Sequence, residues 1–177
     1  MLLSVCPIVG ELLTLTVNSL KHRTLILACI ALIGCSISDK AIDQSVPSTE
    51  LLQREREVHR LINQYRLSKK LPPLTANEII IRQARIHSHA MAKKNVPFGH
   101  NGFRKRVKKI SRSLPYRTAA ENVAYNKGYS DCSLQAVQEW LKSTKHRKNI
   151  MGNYRLTGIG VAKNPEGGYY FTQIFWQ

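Results

Sequence analysis

The chain has 177 residues, enough for one domain and a tail, and its hydrophobic fraction of 43% argues against intrinsic disorder. Its 27 Lys and Arg against 11 Asp and Glu give a formal charge of +16. A charge of this size attracts phospholipid head groups, acidic polysaccharides, wall polymers or nucleic acid, without distinguishing among them.

Residues 1–35 are predicted to be a secretory signal. A basic tripeptide at residues 21–23 precedes an apolar run at residues 25–33, which is shorter than the about 20 apolar residues that span a bilayer. The run ends in LIGC, residues 32–35, which resembles the lipobox of bacterial lipoproteins. We therefore expect acylation of Cys35 and attachment to a membrane. The alternative is an ordinary signal peptide in which this cysteine is incidental.

The segments before residue 21 and after residue 35 are less regular. Glu11 and Asn18 interrupt the hydrophobicity of residues 1–20, so one hypothesis is that synthesis starts near residue 20. Residues 36–50 are rich in Ser, Asp, Gln and Pro, with little apolar periodicity. They are predicted to form a flexible tether to a domain at residues 51–177.

Two amphipathic helices are predicted at the start of the domain. The apolar positions of the first are Leu51, Val58, Leu61, Ile62 and Tyr65. Their helical spacing places its start near Ser48 or Thr49. Thr75 and Glu78 match a capping box that opens a second helix through about Lys94. The apolar stripe of this second helix consists of Ile80, Ala84, His87 and Met91.

The second half of the domain alternates between helical and strand periodicity. Residues 102–110 predict a short helix, with Phe103, Val107 and Ile110 on one face. A short strand is predicted at residues 122–125, and Asp131 is a predicted cap for a helix whose apolar positions are Leu134, Val137, Trp140 and Leu141. Two strands, at residues 156–162 and 169–176, close the chain. Helices on both sides of a small sheet indicate the α+β class.

Three segments carry the residues with the most informative chemistry: His100 in FGHNGFRKR, Glu121 in AAENVAY and His146 in WLKSTKHRKNIM. With the closing segment LTGIGVAKNPEGGYYFTQIFWQ, they resemble the CAP superfamily (cysteine-rich secretory proteins, antigen 5, pathogenesis-related 1), in its short bacterial branch. The resemblance covers roughly residues 55–177 and implies a three-layer α-β-α sandwich. Only Cys132 of the four cysteines lies in the presumed domain, so the core must be held by packing, without an internal disulfide.

The resemblance also implies a central cleft with two histidines and usually two glutamates. By motif, His100 resembles the first histidine, Glu121 a glutamate and His146 the second histidine. Two neutral imidazoles and one carboxylate form a ligand set for Zn²⁺ or another divalent metal, with one position open. The alternative is a hydrogen-bonded cluster whose protonation responds to pH.

One position departs from the family pattern. The second glutamate is expected three residues after Trp140, where this chain has Ser143. This exchange lowers the affinity for a metal, and Glu139 is expected to point elsewhere. Ser143 also permits a nucleophile hypothesis, in which His146 is the base and Glu121 orients its imidazole.

Other polar residues are interpreted more simply. Asn149 and Gln173 resemble family positions near the cleft, either as ligand contacts or as hydrogen-bond partners of the backbone, and we favour the second. His87 is expected to pack in the core, and His59 to face solvent.

A basic run adjoins His100 and consists of Arg104, Lys105, Arg106, Lys108, Lys109, Arg112 and Arg117. It is interpreted either as a solvated face or as a landing site for anionic lipid or wall polymer, with Arg104 and Lys105 as ligand contacts. Export and the lack of a known binding module disfavour nucleic acid.

The sequence favours an extracytoplasmic, lipid-anchored module that binds a lipid or an anionic cell-surface ligand in the cleft. The first alternative is a metal-assisted hydrolase of peptide or wall polymer that uses His100, Glu121 and His146. The second is a structural protein of the cell envelope. Fold analogy alone does not select among them.

Overall fold

Residues 47–177 are described by the computed structural model. The predicted signal, its Cys35 and most of the predicted tether lie outside the described residues. The elements are α1 (Thr49–Ser68), β1 (Thr75–Ala76), α2 (Glu78–Ala92), α3 (Phe103–Ile110), β2 (Ala119–Asn126), α4 (Cys132–Lys142), α5 (Thr144–Ile150), β3 (Leu156–Lys163) and β4 (Tyr169–Trp176). Across this part of the chain, no helix has the length and apolar character needed to cross a membrane.

The four strands form one sheet in the order β1-β3-β4-β2. β1 pairs in parallel with β3, whereas β3 with β4 and β4 with β2 are antiparallel. Helices cover both faces: α1, α4 and α5 share one core with Phe171 and Phe175 of β4, and α2 and α3 share another with Ile174 and Trp176. Successive residues of a strand face opposite sides, so β4 supplies both cores. The three-layer α-β-α sandwich is confirmed.

The starts of the helices follow local capping chemistry. Ser48 accepts a hydrogen bond from the Leu51 amide, and Asp131 accepts bonds from the first turn of α4, so both predicted starts are confirmed. The capping box at Thr75 and Glu78 is wrong. Asn77 caps α2 instead, because Thr75 lies in β1, where it pairs with Leu156.

Two predictions of exposure are also wrong. His59 was expected to face solvent, but its Nε2 lies 2.9 Å from the Leu74 carbonyl oxygen and the residue is half-buried. Leu134 fits the apolar spacing of α4 but is exposed, since it is the third residue of the helix and lies beyond the core that Val137 and Trp140 reach.

Helix α2 lies directly on the backbone of β3. A Cβ atom at Gly158 would overlap the Ile81 amide nitrogen, and one at Gly160 would overlap that of Arg85. Glycine at both positions therefore sets the separation between this helix and the sheet.

Strand β2 lies at the edge of the sheet and is covered by side chains from α4 and α5. The Trp140 indole donates to the Val123 carbonyl oxygen at 2.9 Å. The Asn149 amide donates to the Glu121 carbonyl oxygen at 3.3 Å. These bonds occupy outward-facing acceptors of an edge strand and bring the helices that carry Ser143 and His146 to β2.

Arg66 is buried and joins α1 to the connection between α5 and β3. Its guanidinium donates to the carbonyl oxygens of Pro72, Ile150, Gly152 and Tyr154, at 2.7–3.4 Å. Burial lowers the pKa of this group. One side chain therefore donates to four carbonyl groups, of which that of Gly152 also accepts from a second donor, the Tyr154 amide.

Replacing Arg66 by Met should lower the free energy of unfolding by about 3 kcal/mol or more, because several buried acceptors lose their donor. Urea unfolding followed by circular dichroism measures this change. Arg56→Met, at an exposed position of the same helix, is the control and should change the value by no more than about 0.5 kcal/mol. Equal losses in the two variants would contradict the role of Arg66.

Candidate functional site

The predicted histidine–glutamate pair forms, and a buried arginine joins it. His100 Nδ1 lies 3.0 Å from Glu121 Oε1. Arg106 donates from Nε to Oε2 and from Nη2 to Oε1 of the same carboxylate, each at 2.8 Å. The Glu121 side chain is 1% exposed, whereas that of His100 is 50% exposed. The buried carboxylate is therefore neutralised by a guanidinium, and the histidine is the accessible member of the group.

Arg106 does not belong to the exposed basic run in which its sequence position placed it. It is buried, and it also donates to the Asn101 carbonyl oxygen at 2.9 Å. Its position in α3, three residues after Phe103 and four before Ile110, puts it on the apolar face of the helix. That spacing is the signal that could have identified it.

His87 supports the same site from α2. Its Nε2 donates to the Gly99 carbonyl oxygen at 2.7 Å, so this nitrogen carries the proton. Burial lowers the pKa of His87, with the charge of Arg106 acting in the same direction. The core position expected for His87 is confirmed, and its hydrogen bond fixes the backbone next to His100.

Neutral His100 has a defined tautomer. Because the Glu121 carboxylate accepts, Nδ1 of His100 is the donor, and Nε2 is left without a proton. The accessible nitrogen of this ring is therefore an acceptor or a base when the ring is neutral.

His146 is placed by an asparagine network between α5 and β2. Asn122 donates to the His146 carbonyl oxygen at 3.2 Å, and Asn149 donates to the Asn122 side-chain oxygen at 2.9 Å. Burial and the nearby His100 lower the pKa of His146. Asn149 ties α5 to the strand, as expected. Gln173 instead donates to the Thr157 hydroxyl at 3.2 Å, within the sheet.

A cleft of about 520 Å³ lies beside this cluster. Its lining residues are Phe98, Val123, Ala124, Tyr125, Glu139, Trp140, Ser143, His146 and Tyr170. The expectation that Glu139 points elsewhere is wrong. Glu139 lies in α4, Ser143 at the junction and His146 in α5, and all three line the cleft.

The residues as arranged do not fit a divalent metal. Both oxygens of Glu121 face the Arg106 guanidinium, whose positive charge would repel a cation at that carboxylate. From residue 47 to the end of the chain, no group of three or more His, Cys, Asp and Glu is arranged to hold a metal ion. Zn²⁺ binding by His100, Glu121 and His146 therefore gains no support from the geometry.

The arrangement also differs from the one that a serine nucleophile would need. Glu121 contacts His100, whereas the hypothesis requires it to orient His146. Among the described residues, no hydrogen bond joins the Ser143 hydroxyl to His146, although both line the cleft. The three groups therefore do not form a relay.

The sequence model of the Cysteine-rich secretory protein family (CAP) matches residues 59–175, and the chain belongs to this family. The chain is 35% identical over 125 residues to the uncharacterized protein YkwD of Bacillus subtilis (strain 168), an alignment that covers 68% of this chain and 46% of that protein. That relative has no stated activity.

Solved structures give the same fold. An extracellular protein containing an SCP domain from Bacillus anthracis is 25% identical, with a TM-score of 0.61, over 75% of this chain and 44% of that one. An outer surface protein from Borrelia burgdorferi is 14% identical, with a TM-score of 0.59, over 75% of this chain and 96% of that one, and shows the fold alone. The chain spans less than half the length of the two Bacillus proteins.

The lowered pKa values of His87 and His146 predict a loss of stability in acid. The unfolded chain takes up protons on these groups near pH 6.5, above the pH at which the folded protein does. Their stabilising contribution is therefore present above about pH 6.5 and is lost as the pH falls through the lower folded-state pKa.

Urea unfolding of the wild type and of His87→Gln/His146→Gln, each at pH 7 and pH 5, measures this contribution. The double variant should lose less stability between the two pH values than the wild type, because glutamine does not titrate. An equal loss in both proteins would show that these histidines do not carry the pH dependence.

Proposed function

We propose that this protein is an extracytoplasmic binding module that recognises an anionic group of an envelope lipid or polymer on the surface around His100. The observation that carries the proposal is the bidentate contact of Arg106 with Glu121. Glu121 is the carboxylate that contacts His100, and Arg106 already compensates its charge. The exposed charged groups of residues 97–117 are basic.

These exposed groups form what we call the α3 basic surface: Arg104, Lys105, Lys108, Lys109, Arg112 and Arg117. Residues 97–117 contain no Asp or Glu, so no acid of this segment offsets them. Clustered charge of one sign raises the local concentration of an oppositely charged ligand. Arg104 and Lys105 are adjacent in the first turn of α3, two and three residues after Gly102, and are our proposed ligand contacts.

The location is also part of the proposal. The Bacillus anthracis and Borrelia burgdorferi structures are of an extracellular and an outer surface protein, which supports an extracytoplasmic site for this chain. Acylation of Cys35, proposed from the LIGC sequence, would hold the domain near a membrane surface, where phospholipid head groups and envelope polymers carry negative charge.

A hydrolase that uses His100, Glu121 and His146 has less support. Glu121 is engaged by Arg106, and His146 lacks an acidic partner among the described residues. A binding role requires neither a metal nor a nucleophile.

Charge reversal tests the α3 basic surface. Arg104→Glu/Lys105→Glu should reduce binding to phosphatidylglycerol vesicles at low salt by about tenfold or more, since each basic group near such a surface contributes about 1 kcal/mol. Sedimentation with vesicles measures binding, with phosphatidylcholine vesicles for comparison. A protein that begins at Ser36 avoids attachment through Cys35.

The matched control is Arg56→Glu/Arg82→Glu, which makes the same change of net charge at exposed positions on α1 and α2. This control should retain most of the binding. A soluble polyglycerol phosphate distinguishes the sources of the anion: competition by the polymer favours a wall polymer, whereas selective binding to vesicles favours lipid. Unchanged binding by the α3 variant to both probes would refute the proposal.

A further inference from the structure

The cleft next to His146 has an exposed aromatic wall. Phe98 is 55% exposed and Tyr125 is 39% exposed. Both rings contact Tyr170, with centroids 4.8 Å apart for Tyr125 and 6.4 Å for Phe98. Tyr125 also packs over Gly168, where a Cβ atom would overlap its ring. These contacts fix a contiguous aromatic surface that is open to solvent, as at many binding sites.

A second, polar part of the lining comes from Glu139, Ser143 and His146, at the end of α4 and the start of α5. Glu139 Oε1 accepts a hydrogen bond from Gln135 Nε2 at 2.9 Å. Within residues 47–177, neither the second oxygen of Glu139 nor the Ser143 hydroxyl has a hydrogen-bond partner. This polar part therefore presents acceptors and a hydroxyl to whatever enters the cleft.

We propose that this cleft binds a pyranose ring of an uncharged glycan. A pyranose has a flat face of C–H groups and a rim of hydroxyl groups. The face fits against the aromatic wall, and the hydroxyl groups donate to Glu139 or exchange hydrogen bonds with Ser143 and His146. A volume of about 520 Å³ lies within the range of small-molecule sites, about 300–1,000 Å³.

Other occupants fit the same walls less well. An acyl chain would bury Glu139, Ser143 and His146 without hydrogen-bond partners. An anionic group would meet the Glu139 carboxylate, which is outside the α3 basic surface.

A peptide strand added to β2 is also disfavoured. Such a strand would need the outward-facing acceptors of β2, but the carbonyl oxygens of Glu121 and Val123 already accept bonds from side chains of α5 and α4. A glycan requires none of these backbone groups.

This inference goes beyond the proposed function and uses different residues. Arg104 and Lys105 do not line the cleft. Binding at either surface does not require the other.

The test is a calorimetric titration of the full chain with cellotetraose, maltotetraose and the β-1,4-linked tetramer of N-acetylglucosamine. At least one of these neutral probes should bind. Tyr125→Ala should weaken that binding by about tenfold, whereas Tyr125→Phe, which retains the ring, should bind within about twofold of the wild type. Tyr129→Ala is the matched control, because Tyr129 is 50% exposed and does not line the cleft.

Arg104→Glu/Lys105→Glu should bind the same sugar as tightly as the wild type, which separates this test from that of the proposed function. No binding of any probe at millimolar concentration by the folded wild type would overturn the inference. Wild-type affinity in Tyr125→Ala would also overturn it. Displacement of the bound sugar by dodecanoate or by a tyrosine-containing peptide, with higher affinity than the sugar, would overturn it as well.

Discussion

The buried ion pair between Arg106 and Glu121 is the interaction on which the site depends. It joins α3 to the edge strand β2, and it provides the acceptor that sets the tautomer of His100. A buried carboxylate without a partner would destabilise the fold, and the Arg106 guanidinium offsets this destabilisation at Glu121. The same pairing removes the negative charge that a metal ion would require. A cluster that resembles a metal site in sequence is, in this chain, a neutral support for one accessible histidine.

Strand β2 organises the rest of the site because three helices reach it with single side chains. Arg106 of α3 reaches the Glu121 carboxylate, Trp140 of α4 reaches the Val123 carbonyl oxygen, and Asn149 of α5 reaches the Glu121 carbonyl oxygen. An exposed edge strand would be prone to pairing with another chain. Here the carbonyl oxygens of Val123 and Glu121 instead bind side chains of α4 and α5 and so position these helices.

Patterns that act over one or two turns were predictable from the sequence, whereas contacts between elements were not. The starts of α1 and α4 and the strands β3 and β4 follow from capping residues and periodicity. The two-residue strand β1 has no periodic signal, and it moves the cap of α2 from Thr75 to Asn77. The patterns do not separate α4 from α5, so the placement of Glu139, Ser143 and His146 in one cleft depends on the geometry of that junction. The charge of Arg106 and its place in a basic run predict an exposed side chain, whereas its helical spacing from Phe103 and Ile110 predicts the buried position that it has.

The central claim is that Arg106 compensates Glu121 in the folded protein, and a double-mutant cycle on the free energy of unfolding tests it most directly. The proteins are the wild type, Arg106→Met, Glu121→Gln and the double variant. We expect a coupling of about 2 kcal/mol or more, with Arg106→Met less stable than the double variant, because the single change leaves a buried carboxylate without its partner. Losses that add to within about 0.5 kcal/mol would contradict the account.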